Sequence, residues 1–151
     1  MEIKGAIVKI KKFKVTEETE DYEISDFFDE ISEQLTIINS LNLSQKEELI
    51  DTLFEFLKSQ DAEMDENFSF IHFIESINKP DYEMYYPKLI KFNTENATIT
   101  SILLLNRFIN SLEGVALKKC VALLKNISEN NKYSKYIKEF ALEFYEHQAS
   151  S

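Results

Sequence analysis

Two polar pairs stand inside the two most apolar stretches of this chain. In ENFSFIHFIESI (66–77), His72 and Glu75 are three residues apart; in NATITSILLLNRFINSL (96–112), so are Arg107 and Asn110. Residues at this spacing share a helix face. A histidine beside a carboxylate can move a proton, and the two can ligate a metal ion. A metal site in a helical bundle draws its ligands from several helices, however. The only other histidine is His147, near the C-terminal end, and neither HExxH nor a repeated ExxH occurs. No metal and no cofactor is expected.

A quieter use fits the same residues. An ionised group inside an apolar helix costs on the order of several kcal/mol unless it is paired. A Glu75–Arg107 ion pair, with His72 and Asn110 completing the hydrogen bonds, would satisfy all four as a structural polar network. Nucleophilic catalysis finds no motif: there is no GxSxG, no glycine-rich phosphate loop and no cysteine near a histidine. Cys120 falls at helical spacing with Leu117, Val121 and Leu124 and reads as a small buried thiol. A single cysteine forms no internal disulfide and no cysteine-rich zinc site. No residue is assigned a catalytic role, and the chain is not expected to be an enzyme. An enzyme using His72 and Glu75 would need a deep, water-filled pocket beside them.

The elements that must carry these residues are helical. A chain of 151 residues suits one domain, here 1–151, with 1–15 as an N-terminal extension of unassigned role. Tight turns between strands consume glycine and proline; this chain has two of each, which argues for helices joined by short polar links. Val8 and Ile10 alternate with Lys9 and Lys11, which suggests a short N-terminal strand, with a frayed helix as the alternative. Phe27, Phe28, Ile31, Leu35 and Ile38 then fall on one helix face. Ser44 and Glu47 form a capping-box pattern ahead of the stripe Leu49, Ile50, Leu53, Phe54 and Leu57. A third helix places Phe68, Ile71, Ile74 and Ile77 on one side. A fourth carries Tyr82, Tyr85, Tyr86, Leu89 and Ile90, with Pro87 as a kink or restart. The fifth holds Arg107. The sixth follows a break at Gly114, and the seventh carries Tyr133, Tyr136, Ile137, Phe140, Ala141 and Phe144. The expected fold is all-α: about seven helices in stacked antiparallel hairpins, as in HEAT-like solenoids, or in an irregular bundle.

Charge points toward a partner. The net charge is −10 and the pI about 4.7, the wrong sign for a surface that meets phosphates, so nucleic acid is not an expected ligand. An acidic protein suits a basic partner. TEETEDYEISDFFDE (16–30) contains eight acids and no base. The 61–66 loop adds Asp61, Glu63, Asp65 and Glu66. Lysines gather early, from Lys4 to Lys14, and late, from Lys118 to Lys138. An acidic face can serve solubility alone, but this segregation favours a directional partner. Asp29 and Glu33, the 61–66 loop, and Tyr82, Tyr85 and Tyr86 beside Asp81 make up the expected contact face. Tyrosine is enriched where proteins meet, although the same tyrosines could form a core stripe. No stretch of about 18 uncharged apolar residues is present, so no membrane insertion is expected. Lysines interrupt MEIKGAIVKIKKFKV, unlike a secretion signal. The default location is the cytoplasm.

The order FSFIHFIESI, YEMYYPKLIKF, LLLNRFINS resembles the small all-helical immunity proteins encoded beside bacterial polymorphic and contact-dependent growth inhibition toxins. The matching part covers residues 65–111, and its motif is His-x-x-Glu followed by Arg-x-x-Asn-Ser. The resemblance implies a non-catalytic toxin inhibitor that binds one cognate toxin domain, often a nuclease with a basic cleft. It would block the active site or the substrate path. It also implies that His72, Glu75, Arg107, Asn110 and Ser111 matter, in the contact or in bracing the helices. The alternative is a helical-repeat adaptor that recognises peptides or several partners without a toxin.

Overall fold

The computed structural model describes residues 2–35, 40–60, 62–78 and 83–150; its elements among them are α-helices, with Ser40 in a 3-10 conformation. There are eight among the described residues: α1 (Ile3–Lys12), α2 (Asp21–Gln34), α3 (Leu43–Ser59), α4 (Phe68–Asn78), α5 (Tyr85–Asn96), α6 (Ile99–Ile109), α7 (Gly114–Glu129) and α8 (Lys135–Ala149). Contacts gather into two compact units, Met1–Lys88 and Leu89–Ser151, whose boundary falls within α5.

The expected N-terminal strand is instead α1, the eighth helix. The alternation of Val8 and Ile10 with lysines misled because Val8 is exposed while Ala6, Ile7 and Ile10 are buried. Ile3, Ala6, Ile7 and Ile10 follow the i, i+3, i+4, i+7 pattern of one helix face. In the first unit α1 packs on α3, α2 on α4, and α3 on α4. Phe28, fully buried, is the hub of an aromatic core. Its ring meets those of Phe27, Phe56 and Phe70 edge-on, with centroids 5.0–5.4 Å apart, a favoured geometry because each ring's positive edge faces its neighbour's negative face. Phe13, just past α1, stacks on Phe27 at 4.1 Å and so ties α1 to α2.

The caps define where the helices start. Glu20 and Glu23 form a capping box at α2; the Glu20 backbone N–H donates to Glu23 Oε2 at 2.7 Å. At α3 the box is two residues earlier than the Ser44–Glu47 pattern predicts. Asn42 Oδ1 accepts from the Gln45 N–H (2.9 Å), and the Asn42 N–H donates to Gln45 Oε1 (3.0 Å). Asn-x-x-Gln meets the same reciprocal requirement and leaves Ser44 inside the first turn. Pro87 is the third residue of α5, in the turn where a missing N–H costs no helical bond. Ile38 and Tyr82, assigned to helix stripes from sequence, lie outside the described residues.

In the second unit Thr98 caps α6 reciprocally with Ser101. The Ser101 hydroxyl donates to Asn93 Oδ1 (2.8 Å), and Asn93 Nδ2 donates back to the Ser101 carbonyl (3.1 Å); both residues are fully buried. The polar groups so exchanged tie the end of α5 to the start of α6 without a buried orphan. The 130–134 link folds α8 back along α7, and both pack on α6. Cys120, Leu124 and Ile127 form the inner side of α7; Cys120 is a buried thiol outside any disulfide, as its spacing indicates.

Candidate functional site: an acidic cleft and helix face

Dividing the charge between the two units sharpens the sequence reading. Residues 1–88 hold 21 acidic and 9 basic side chains, a net −12; residues 89–151 hold 6 and 8, a net +2. The chain's whole negative excess belongs to the first unit.

Within that unit the acids concentrate on α2. Ile24, Phe28 and Ile31 face the core, so the rest of the helix is forced outward. Asp26, Asp29, Glu30 and Glu33 are all exposed, at three- and four-residue spacings that align them along one side. From Asp21 to Glu33 the acids span about 18 Å at the α-helical rise. Among the described residues none of these four carboxylates meets a cation. Lys88 is committed to Asp51 (2.7 Å) and Glu47 (3.8 Å) on α3. Lys9 donates to Gln34 Oε1 (3.4 Å), at the far end of α2. Tyr22 lies exposed near the start of α2, at 65 %.

At the N-terminal end of α2 a cleft of about 460 Å³ opens between residues 15–24 and 62–65. Two amide side chains hold its walls. Gln60, just after α3, accepts from the Val15 N–H at 2.7 Å and donates to the Phe56 carbonyl at 2.7 Å. Asn67, 1 % exposed, accepts from the Phe70 N–H (3.0 Å) as the cap of α4. Its Nδ2 donates to Asp21 Oδ1 (2.9 Å) and Ser25 Oγ (3.1 Å), clamping the start of α2 to the start of α4. Thr16 and Thr19 close the intervening turn through the Thr16 N–H and Thr19 Oγ1 (3.0 Å). Val15, Ile24 and Met64 are buried at the base of the cleft. Glu17, Asp21, Glu63 and Asp65 carry its rim, and among the described residues no basic residue lines it. The surface that the cleft presents is mainly polar, with its carboxylates clustered at one end of α2.

Comparison with family models, curated proteins and solved structures finds no match for this chain. The assignment of function therefore rests on the residues themselves.

The structure brings Glu63 and Asp65 together with Glu17 and Asp21 around the cleft, and leaves Asp29, Glu33 and Glu66 exposed in the same unit. Tyr85 is elsewhere: it is 2 % exposed and stacks on Phe54 at 6.1 Å, which makes it a core ring. Tyr86 is half-buried. Asp61, Asp81 and Tyr82 lie outside the described residues. His72 is exposed on α4, its ring 6.0 Å from that of Phe68. Glu75 is half-buried in the first unit; Arg107 and Asn110 are exposed in the second. Asn110 Oδ1 accepts from Gln148 Nε2 at 3.2 Å, a bond that Asn106 Oδ1 shares at 2.9 Å. Among the described residues no group of three His, Cys, Asp or Glu side chains is placed to hold a metal ion, and no helix is long and apolar enough to cross a membrane.

Sequence reasoning overlooked Tyr22 and Phe68, the latter 50 % exposed though it was expected on the buried side of its helix. It also overlooked Glu17 and Asp21 as partners of the 61–66 loop. The signal for Phe68 was available: Asn67 is a good cap, and the residue after a cap often points outward. For the pairing of 17–21 with 62–65 no local signal exists, since the segments are more than 40 residues apart.

Proposed function

We propose that this protein is a cytoplasmic immunity protein that binds one cognate bacterial toxin domain, a nuclease by preference, and occludes its active site or substrate path. The observation that carries this reading is the charge division: a net −12 confined to one unit, with an α2 face whose carboxylates have no internal cations among the described residues. A fold gains nothing from leaving like charges aligned on one helix, whereas a basic protein surface gains both attraction and orientation from them. The exposed rings of Tyr22 and Phe68 supply the aromatic anchors such interfaces use, replacing Tyr85. The contact extends from the α2 face to the loop carrying Glu63, Asp65 and Glu66, and it should bury at least about 1,000 Å² in total.

The test is co-expression with the toxin encoded in the neighbouring reading frame. A cognate pair co-purifies as a stable complex, and cells that express the toxin survive only with this protein present. Micromolar binding to several unrelated proteins, with no protection, would instead favour the adaptor reading. Replacing Asp65 and Glu66 by lysine slows association and flattens its salt dependence while circular dichroism stays unchanged. An unaltered rate and salt response would remove that loop from the contact.

A further inference from the structure

We infer that the outer face of α8 binds the same face of a second copy of this chain, the two helices running antiparallel about a two-fold axis. The helix is amphipathic in sequence, yet of its 15 residues only Ala141 is buried. Tyr136, Phe140 and Phe144 recur every four residues and so form one ridge. Tyr136 is 58 % exposed, and the two phenylalanines are half-buried, their rings edge-on at 4.9 Å. The ridge begins on the side away from α7. Tyr145, about two and a half turns beyond Tyr136, faces α7, where Lys125 Nζ lies 5.9 Å from its ring. Farther round, Gln148 Nε2 donates to Asn106 Oδ1 of α6 at 2.9 Å. Within its unit α8 therefore packs through its small side and leaves an aromatic edge toward solvent.

The charges around the ridge identify the occupant. Lys132, Lys135 and Lys138 come first, with no acid among them; Glu139, Glu143 and Glu146 follow, with no base before His147. A lone helix prefers the reverse order, acids at its positive start and bases at its negative end. Other helices of this chain obey that preference: Asp21 and Glu23 open α2, and Lys9, Lys11 and Lys12 close α1. The order in α8 makes the helix its own complement. Turned end for end about Phe140, a second α8 sets Tyr136 on Phe144 and brings Lys135 alongside Glu143 and Glu146, and the two-fold axis repeats each contact. The helix dipoles then oppose each other favourably as well. Lys135 is 88 % exposed, and its i, i+4 pairing with Glu139 at 3.7 Å is of the weak kind that solvent screens. A purely cationic partner would set like charge against the lysines, and an uncharged one would leave both blocks unmatched.

The inference is independent of the toxin reading, since the α2 face belongs to the first unit and α8 to the second. One helix against its copy is a small interface, below the about 1,200–2,000 Å² of stable complexes, so the expected dimer is weak. Sedimentation velocity on the full chain, from about 5 to 500 µM at about 0.05 M salt, should show monomer passing to dimer and no larger species. Lys135→Glu, and Glu143→Lys with Glu146→Lys, should each weaken the dimer at least about tenfold, because the facing blocks become all acidic or all basic. Both variants place favourable charge at the helix ends, so their melting temperatures should hold or rise, and lost association is then not unfolding. Mixed in equal amounts, the two variants should form a heterodimer within about threefold of the wild-type affinity, each meeting opposite charge on the other. A monomer throughout, growth beyond the dimer, variants that associate like the wild type, or a mixture that fails to recover would overturn the pairing. A chain that stays monomeric and still binds its toxin would leave the proposed function standing.

Discussion

Phe28 touches the rings of five other phenylalanines, from Phe13 before α2 to Phe73 on α4, and is fully buried. Truncating it leaves a void among rings supplied by α2, α3, α4 and the segment just after α1. Phe28→Ala is expected to lower stability by about 3–5 kcal/mol, measured by urea unfolding. Asn67 works differently, by satisfying donors and acceptors. Asn67→Ala removes the α4 cap and the clamp on Asp21 and Ser25 together; the expected loss is about 2 kcal/mol, measured by thermal unfolding. Tyr85 and His72 show how little a single residue type fixes its own role. The tyrosine-rich stretch 82–86 fits a recognition surface and a core stripe equally well by composition. Only the packing against Phe54 assigns Tyr85 to the core. For His72 an apolar neighbourhood in sequence became an exposed position, because the buried arc of α4 runs through Phe70, Ile71, Phe73, Ile74 and Ile77 and leaves the Phe68–His72 side to solvent.

At the level of helices the sequence was far more informative. Seven of the eight helices follow from 3.6-residue periodicity and from scarce glycine and proline, because each buries one face and those faces are long enough to repeat. The remaining one, α1, is short, and over ten residues a period of two and a period of 3.6 share several positions; Val8 decides between them only once its exposure is known. Caps were legible in type but not in place, since Asn42–Gln45 and Ser44–Glu47 both satisfy the pattern. Gly114, which the sequence pattern marks as a break, is the first residue of α7, at φ +62°. An added Cβ there meets nothing within 4 Å, so any cost is that of the backbone conformation alone. Gly114→Ala should therefore destabilise by roughly 1–2 kcal/mol, while the corresponding change at Gly5, within α1, should be neutral or stabilising. Thermal unfolding of the two variants separates these outcomes. What periodicity could not provide is which helices meet. The α2–α4 contact and the cleft it frames depend on residues far apart in the chain.

Over the molecule as a whole, the decisive property is the distribution of charge. A net charge of −10 could have been spread evenly as a solubilising coat; instead residues 1–88 carry −12 and residues 89–151 carry +2. Long-range attraction scales with the field of the face that approaches the partner, so it should come from the first unit and fade as salt shortens the Debye length from about 30 Å at 0.01 M to about 8 Å at 0.15 M. The measurement that tests this most directly is the association rate with the proposed basic partner, followed by stopped flow across that salt range. It should be made for the wild type, for Asp26→Lys with Asp29→Lys and Glu33→Lys, and for Lys118→Glu with Lys119→Glu. The account predicts a wild-type rate that falls steeply with salt, a rate at least about tenfold lower and nearly salt-independent for the α2 variant, and wild-type behaviour for the α7 variant. Equal rates and equal salt slopes for all three proteins would contradict it.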